Sequence, residues 1–372
     1  MVSRGAVRRH RKGPLFAVFL AVCLLLALLP AGGSAEGEKL CNQHEELCSR
    51  PFNDVTFIST HASFALMSPN KPSQPGTQFK GIKDQLNDGV RGLHLNIVQG
   101  TSASEVKLCY PDCDVNDGGA LVDTLKTVKQ WLDDNKGDVV TIFLEGQGTD
   151  ASPSGVVEAF EDSGIDKYAY SGKTDSWPTL GKMVDDGTTL VVFAEDAAIA
   201  AASPKGYLIP YAGTVLRLEG PFGAGEAWTC GPWGHTTENI MVIPHYIVQT
   251  ATYNGVTYKN MPYPFSLGIT NGYQYENHAV DCRSGQSIWM NFMEVDFYDQ
   301  GDVKTPTLKM NSLPYDGDSP ENFYPEFFEA SSNVPNFSAA APTELSSPVR
   351  LLVLAACLSL SIWMGLADVV RI

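Results

Sequence analysis

The chain has 372 residues, of which 44% are hydrophobic, 18% are charged and eight are cysteine. Its formal net charge is -16, and an acidic surface repels nucleic acid and anionic lipid headgroups, so nucleic-acid binding is excluded as a working expectation. Any lipid or phosphate ligand has to be recognised by local groups against that field.

Residues 1–35 read as a cleaved secretory signal. Arg4, Arg8, Arg9, Arg11 and Lys12 form a basic start, Pro14 to Pro30 is apolar, and Gly33-Ser34-Ala35 supplies the small residues of a cleavage site. The competing reading, a permanent N-terminal anchor, meets a run that is short for a span. The folded domain is expected over 36–301. Within it Val55 to Thr60 reads as a strand and Gln78 to Asn87 as a helix, followed by a strand at Val90 to Ile97. Leu121, Leu125, Val128 and Leu132 form a helical stripe, and Val139 to Glu145 reads as a strand. Short helices follow at 156–162 and 179–184. Strands are expected at 190–194, 214–218, 240–243 and 289–298.

From 302 to 350 the chain is rich in Pro, Ser, Asn and acidic residues and reads as an extension and stalk. The sequon Asn336-Phe337-Ser338 makes Asn336 a glycosylation site. Residues 351–372 carry an apolar tail behind a polar spacer and the small cluster Ser338-Ala339-Ala340-Ala341. That order is the signal for a glycosylphosphatidylinositol (GPI) anchor, with Ser338 as first choice for the attachment residue and Asn336 as second. A single-pass helix is the alternative, but the run is shorter than the ~20 residues a span needs. These signals place the protein outside the cell, GPI-anchored to the plasma membrane or cell wall. Six cysteines remain between the terminal segments, which suggests three disulfides. Nearness favours Cys41–Cys48 and Cys109–Cys113, leaving Cys230–Cys282, although fifteen connectivities are formally open. A structural zinc site does not match the spacings.

Strands alternating with helices argue for parallel β/α units, and the length fits one (β/α)8 barrel of the TIM type better than a doubly wound sheet. In such a barrel chemistry sits at the C-terminal strand ends. Strand parity turns His61, His94, Asn96, Glu145, Asp296 and Tyr298 toward the mouth. Glu219 and His245, at the ends of later strands, complete the expected pocket. So many buried polar groups are costly without a purpose.

The stretch Cys41-Asn42-Gln43-His44-Glu45-Glu46-Leu47-Cys48, then Val55 to Ser63, resembles the opening of the fungal PLC-like phosphodiesterases, relatives of phosphatidylinositol-specific phospholipase C. The likeness continues through Gln85 to Arg91, Leu108-Cys109 to Cys113, Leu121 to Val128, Asp138 to Thr141, Trp177 to Leu180, Leu190 to Phe193 and Val295 to Asp299. It implies a TIM barrel acting on a phospholipid or glycerophosphodiester headgroup. His61 matches the general base, and Glu145 matches a glutamate of metal-dependent members. The likeness also marks departures. Ala62 replaces the usual Asn or Asp, while His94 and Asn96 replace a carboxylate pair. The arginine that substitutes for metal near Asn96 is absent, and the second histidine is Tyr110. A metal site therefore looks lost and no cofactor is expected.

Tyrosine, with a reference pKa of about 10, is a poor acid at neutral pH, and one acid–base residue contributes about 10²–10⁴-fold in rate. The expectation is thus a monomeric surface phosphodiesterase with an incomplete catalytic set, with His94 as a substitute acid or ligand. The alternatives are an inactive barrel that binds at the surface, and a glycoside hydrolase using Glu145 and Glu219.

Overall fold

The computed structural model describes residues 39–67, 75–146, 151–231, 237–264, 267–285 and 289–315. All of them belong to one unit, Lys39–Tyr324. The expected signal segment, the anchor segment, Asn336 and Ser338 lie outside the described residues. No described helix is long and apolar enough to cross a membrane.

Eight parallel strands form a nearly closed barrel: β1 Phe57–Thr60, β2 Gly92–Gln99, β3 Val140–Gly146, β4 Leu190–Ala194, β5 Leu208–Pro210, β6 Val215–Arg217, β7 Ile240–Pro244 and β8 Met290–Val295. The ladder runs β5-β4-β3-β2-β1-β8-β7-β6, so β5 and β6 leave one seam unpaired. Seven of these strands are legible as apolar or β-branched runs. The eighth, β5, is only three residues long and carries no pattern. Helices cover the outer face, as a parallel sheet requires. Leu121–Asp134 buries Leu121, Leu125, Val128, Trp131 and Leu132. Pro153–Ser163 starts at a Ser152 cap that accepts from the Gly155 N–H and stops at left-handed Gly164.

The interior is packed rather than hollow. Phe57, Phe143, Val191, Phe193, Val242 and Phe292 join one buried cluster. The Phe292 ring lies 5.1 Å from Phe57 and 4.9 Å from Phe143. Gly92 is required for this layer, because a Cβ there would meet Ser59 Cβ at 2.4 Å and Phe292 Cδ1 at 2.9 Å. Each buried Phe contributes about 1.5–3 kcal/mol. The filled lower barrel confines open space to the mouth.

The Cys41–Cys48 loop closes the bottom. The Asn42 N–H donates to Gly137 O, and the Val139 N–H, just before β3, donates to Asn42 Oδ1 at 2.6 Å. The C-terminal limit expected at 301 is corrected. Helix Lys304–Met310 packs on the barrel, and Asn311 exchanges two hydrogen bonds with the Thr56 backbone, at 2.9 and 2.7 Å. Leu313 joins the central cluster. Three disulfides form: Cys41–Cys48, Cys109–Cys113 and Cys230–Cys282.

Two additions were not legible. A hairpin, Val106–Cys109 with Asp117–Ala120, continues the sheet antiparallel to β2. A separate sheet of Phe222–Gly223, Ile247–Tyr253 and Val256–Pro262 brings Lys259 and Asn260 to the pocket.

Candidate active site

The first half of the site grows from β1 and β8. These strands run parallel, pairing Ser59 with Glu294, so the residues that follow them emerge side by side. His61 Nδ1 lies 2.8 Å from Asp296 Oδ1. An ionised Asp296 only accepts, so it selects the tautomer in which Nδ1 donates and Nε2 is left as an acceptor. The imidazole stacks on Tyr246 at 4.1 Å and meets the Tyr110 ring edge-on at 4.7 Å. Burial pushes the Asp296 carboxyl up to about 6, against the pull of His61. For His61 burial opposes the charge, but Asp296, helped by Glu294 and Glu145, wins and raises its pKa above the usual value.

The second half is a floor of charge. His94 Nδ1 is 2.8 Å from Glu145 Oε1 and 3.4 Å from Glu294 Oε1. Arg217, from β6, donates from Nη1 to Glu145 Oε1 at 3.2 Å and from Nη2 to Glu294 Oε2 at 2.6 Å. The same Nη2 reaches the Tyr246 hydroxyl at 3.4 Å, which links the floor to the histidine wall. Tyr211 donates to Glu145 at 3.2 Å. Burial opposes ionisation of Glu145, but Arg217 and then His94 outweigh it and hold its pKa well below the usual carboxylate range. For Arg217 burial is likewise outweighed, by Glu294 and Glu145, so it stays charged.

Above this floor is a pocket of about 260 Å³. Of the expected residues, His61, Asn96, Tyr110 and Glu145 line it. Asp296 stands directly behind His61. His94 is fully buried and stacked on Phe143 at 4.3 Å, beneath the pocket rather than in its wall. It cannot protonate a ligand there.

Three expected pocket residues are corrected. Phe297 adopts a left-handed φ of 49°, which ends the strand alternation just after Asp296. Tyr298 therefore turns away, and its hydroxyl donates to Asp88 at 2.7 Å. His245 is enclosed behind β7 under Trp228, with its ring 4.0 Å from the indole. Burial, with His278 beside it, lowers its pKa to about 3. Glu219 is exposed and accepts from Thr229 at 3.0 Å. The carboxylate pair that a glycosidase needs is therefore not assembled from Glu145 and Glu219.

Arg217 and Tyr246 were missed. Arg217 was recoverable, because it shares a strand face with Val215, which packs into the barrel. Tyr246 follows Pro244 outside any periodic run and left no signal.

Metal-dependent relatives in the resembling superfamily place a divalent cation here. Ligand atoms of His94, Glu145 and Glu294 do lie within 4.8 Å of one another. Arg217, however, already bonds both carboxylates, so the positive charge between them is a guanidinium. These residues fit a guanidinium rather than a metal ion.

Comparison with known proteins agrees with this architecture. The PI-PLC X family profile (PI-PLC X 1) matches residues 47–311. A protein of Arthroderma benhamiae named PI-PLC X domain-containing protein 1 is 26% identical over 310 residues, covering 78% of this chain and 95% of that one. A second protein of that organism, named an uncharacterized secreted protein, is 26% identical over 305 residues, and the chain spans 65% of its length. The Arabidopsis thaliana PI-PLC X domain-containing protein At5g67130 is 30% identical over 164 residues, which is 40% of this chain and 37% of that one. Phosphatidylinositol-specific phospholipases C from Staphylococcus aureus and Listeria monocytogenes are similar at a TM-score of 0.47, with 13% and 12% identity. They cover 72% of this chain and 95% and 96% of their own. Because the matched span runs from before β1 through helix Lys304–Met310, and takes in every residue of the pocket, the chain belongs to the PI-PLC X family.

Proposed function

We propose that the protein is a cell-surface phosphodiesterase that cleaves a phospholipid or glycerophosphodiester by general base catalysis. The observation that carries this reading is the His61–Asp296 pair at 2.8 Å in the wall of a pocket whose floor presents Arg217. His61 Nε2 takes the proton of the attacking hydroxyl, which belongs to the headgroup itself or to water, as that oxygen bonds to phosphorus. Asp296 holds the Nδ1 hydrogen and stabilises the imidazolium that forms. Arg217 offsets charge that builds on the phosphoryl oxygens, and Lys259 at the rim favours an anionic ligand.

The leaving alcohol gets little help. Tyr110 stands beside His61, its ring edge-on to the imidazole at 4.7 Å, and its hydroxyl donates to Asn260 O at 2.8 Å. Burial first, and then the charges of Asp296, Glu294 and Glu145, push its pKa well above the usual 10. Proton delivery to the leaving oxygen is accordingly the weak step. The secretory signal, the Asn336 glycan and a GPI anchor at Ser338 complete this reading and hold a monomer beside its lipid substrate. The same Tyr110 substitution supports a second reading, in which the barrel binds a headgroup without turnover. Headgroup release from phosphatidylinositol vesicles and a panel of glycerophosphodiesters decides between them. The enzyme reading expects release that disappears in His61→Ala. Release no greater than that of the variant on every substrate refutes it, and retained headgroup binding then selects the binding protein.

A further inference from the structure

A second cluster of chemistry-bearing side chains lies behind β7, outside the pocket. His278 and Cys282 are four apart on helix Tyr275–Gly285 and so share one face. They meet Cys230 and His245, brought from two other parts of the chain. All four are at least nine-tenths buried. Ligand atoms of Cys230, His278 and Cys282 lie within 4.8 Å of one another, and His245 Nδ1 is 3.0 Å from His278 Nδ1.

Hydrogen accounting for the two imidazoles does not close. His245 Nε2 faces Thr270 O at 2.7 Å and His278 Nε2 faces Thr229 O at 3.1 Å. A carbonyl oxygen only accepts, so each Nε2 carries the ring's hydrogen. In two neutral rings neither Nδ1 then has one, and two lone pairs confront each other in a buried place. A cation between or beside them resolves the conflict. Backbone carbonyls that fix Nε2–H and aim Nδ1 inward are also the usual outer support of a histidine metal ligand.

We propose that Cys230, Cys282, His278 and His245 form a Cys₂His₂ zinc site when the two cysteines are thiolates, so that zinc and the Cys230–Cys282 disulfide are alternative fastenings of one place. Two thiolates with two imidazoles in four-coordinate geometry is the donor set zinc takes. Zn–S of about 2.3 Å and Zn–N of about 2.0–2.1 Å put tetrahedral ligand atoms roughly 3.3–3.8 Å apart, so the two sulfurs must part once their bond is broken, while His245, outside the three-residue group within 4.8 Å, turns to the ion from its place 3.0 Å from His278. The exchange needs a thiol reductant. Two thiols give two electrons to the disulfide and become a disulfide themselves, leaving two cysteine thiols. Binding of Zn²⁺ then releases both thiol protons. A disulfide oxidant runs the sequence backward and frees the metal. Spacing along the sequence hides this site, because His245 lies far from both cysteines. The site adjoins the pocket, since the residue after His245 is Tyr246, the ring on which His61 stacks.

The test uses the whole protein, reduced under anaerobic conditions with a phosphine and titrated with Co²⁺. The expected result is one ion per chain, with thiolate-to-cobalt charge transfer and tetrahedral d–d bands that zinc abolishes. The oxidised protein should show neither. His245→Ala and His278→Ala should each weaken binding by about tenfold or more, and Cys230→Ser with Cys282→Ser should remove the charge-transfer band. Charge transfer that survives that double substitution, affinity unaffected by both histidine substitutions, or tight binding by the oxidised protein would each overturn the site. X-ray absorption of the unmutated zinc-loaded protein covers the case in which a variant fails to fold. Two sulfur and two nitrogen neighbours are expected, and any other sulfur count refutes the assignment.

Discussion

Arg217 donates to Glu294 at 2.6 Å, and neither residue comes from the strand where a charge-stabilising group was sought. The sequence places Asn96 on β2 at the point where relatives carry an arginine, which reads as a lost cation. The cation is present but enters from β6, on the other side of the barrel axis from Glu145 on β3. On the proposed mechanism the site is therefore short of one proton donor, not of a proton donor and a positive charge.

Arg217 is the first test. Arg217→Met removes the guanidinium from two buried carboxylates, and breaking a buried pair in this way costs about 3–5 kcal/mol. Its thermal midpoint should fall sharply. Arg217→Lys keeps the charge and loses the two-pronged geometry, so it should retain most of the stability while kcat drops by about 10²-fold or more. Thermal unfolding alongside headgroup release separates the two effects, and a lysine variant with parental kcat would remove Arg217 from the chemistry.

The His61–Asp296 pair sets the pH behaviour. His61 acts as a base only when neutral, and its raised pKa puts the acid limb of the rate profile above the ordinary 6.5. Asp296→Asn removes the largest interaction holding the proton, so the limb should move to lower pH while kcat falls by about 10²–10⁴-fold. Stability follows the same sign for both members. Each binds protons more tightly in the folded state, so their contribution declines as pH rises, through 3.8 to about 6 for Asp296 and above 6.5 for His61. Glu145, with its pKa lowered from 4.5, pulls the other way and loses stability as pH falls below that value. The parent should thus be most stable in mild acid, and Asp296→Asn should flatten the decline toward neutral pH in thermal melts.

Tyr110 predicts a dependence on the leaving group. A substrate with an aryl leaving group needs no proton and should turn over faster than its alkyl counterpart. Tyr110→His should raise kcat on alkyl substrates, by up to about 10²-fold, and leave aryl substrates nearly unchanged. Equal gains on both would mean that Tyr110 acts through packing against His61 instead.

Chelation gives a simpler check. With Arg217 between Glu145 and Glu294, dialysis against a metal chelator should leave headgroup release within about twofold of its starting rate. A loss of tenfold or more, restored by Ca²⁺ or Mg²⁺, would contradict the fit argued above.

Much of this was written in local sequence. Strands β1, β2, β3, β4, β6, β7 and β8 announce themselves as apolar or β-branched runs. Parity along them correctly turns His61, Asn96, Glu145 and Asp296 toward the mouth. Parity failed where the backbone stops being a strand, as at Phe297, beyond which Tyr298 faces outward. It also failed to separate depth from direction. His94 points inward as expected but sits a layer too low, because Phe143 and the two glutamates fill the space around it. Tyr246, Lys259 and Asn260 come from a loop and a small sheet whose packing depends on partners distant in sequence, so no local pattern betrays them.

The unpaired seam between β5 and β6 gives Arg217 a second duty. Among the described residues β6 is hydrogen-bonded along one edge only, to β7, so its ladder reaches Glu145 on β3 only the long way round, through β7, β8, β1 and β2. Arg217 takes the short way, with one nitrogen on Glu145 and the other on Glu294, and works as a clasp across the mouth of a sheet whose two ends are not paired. A phosphoryl group that draws the guanidinium upward would ease the clasp at the moment of binding. On the proposed mechanism, phosphoryl binding and the bracing of the open seam rest on the same side chain.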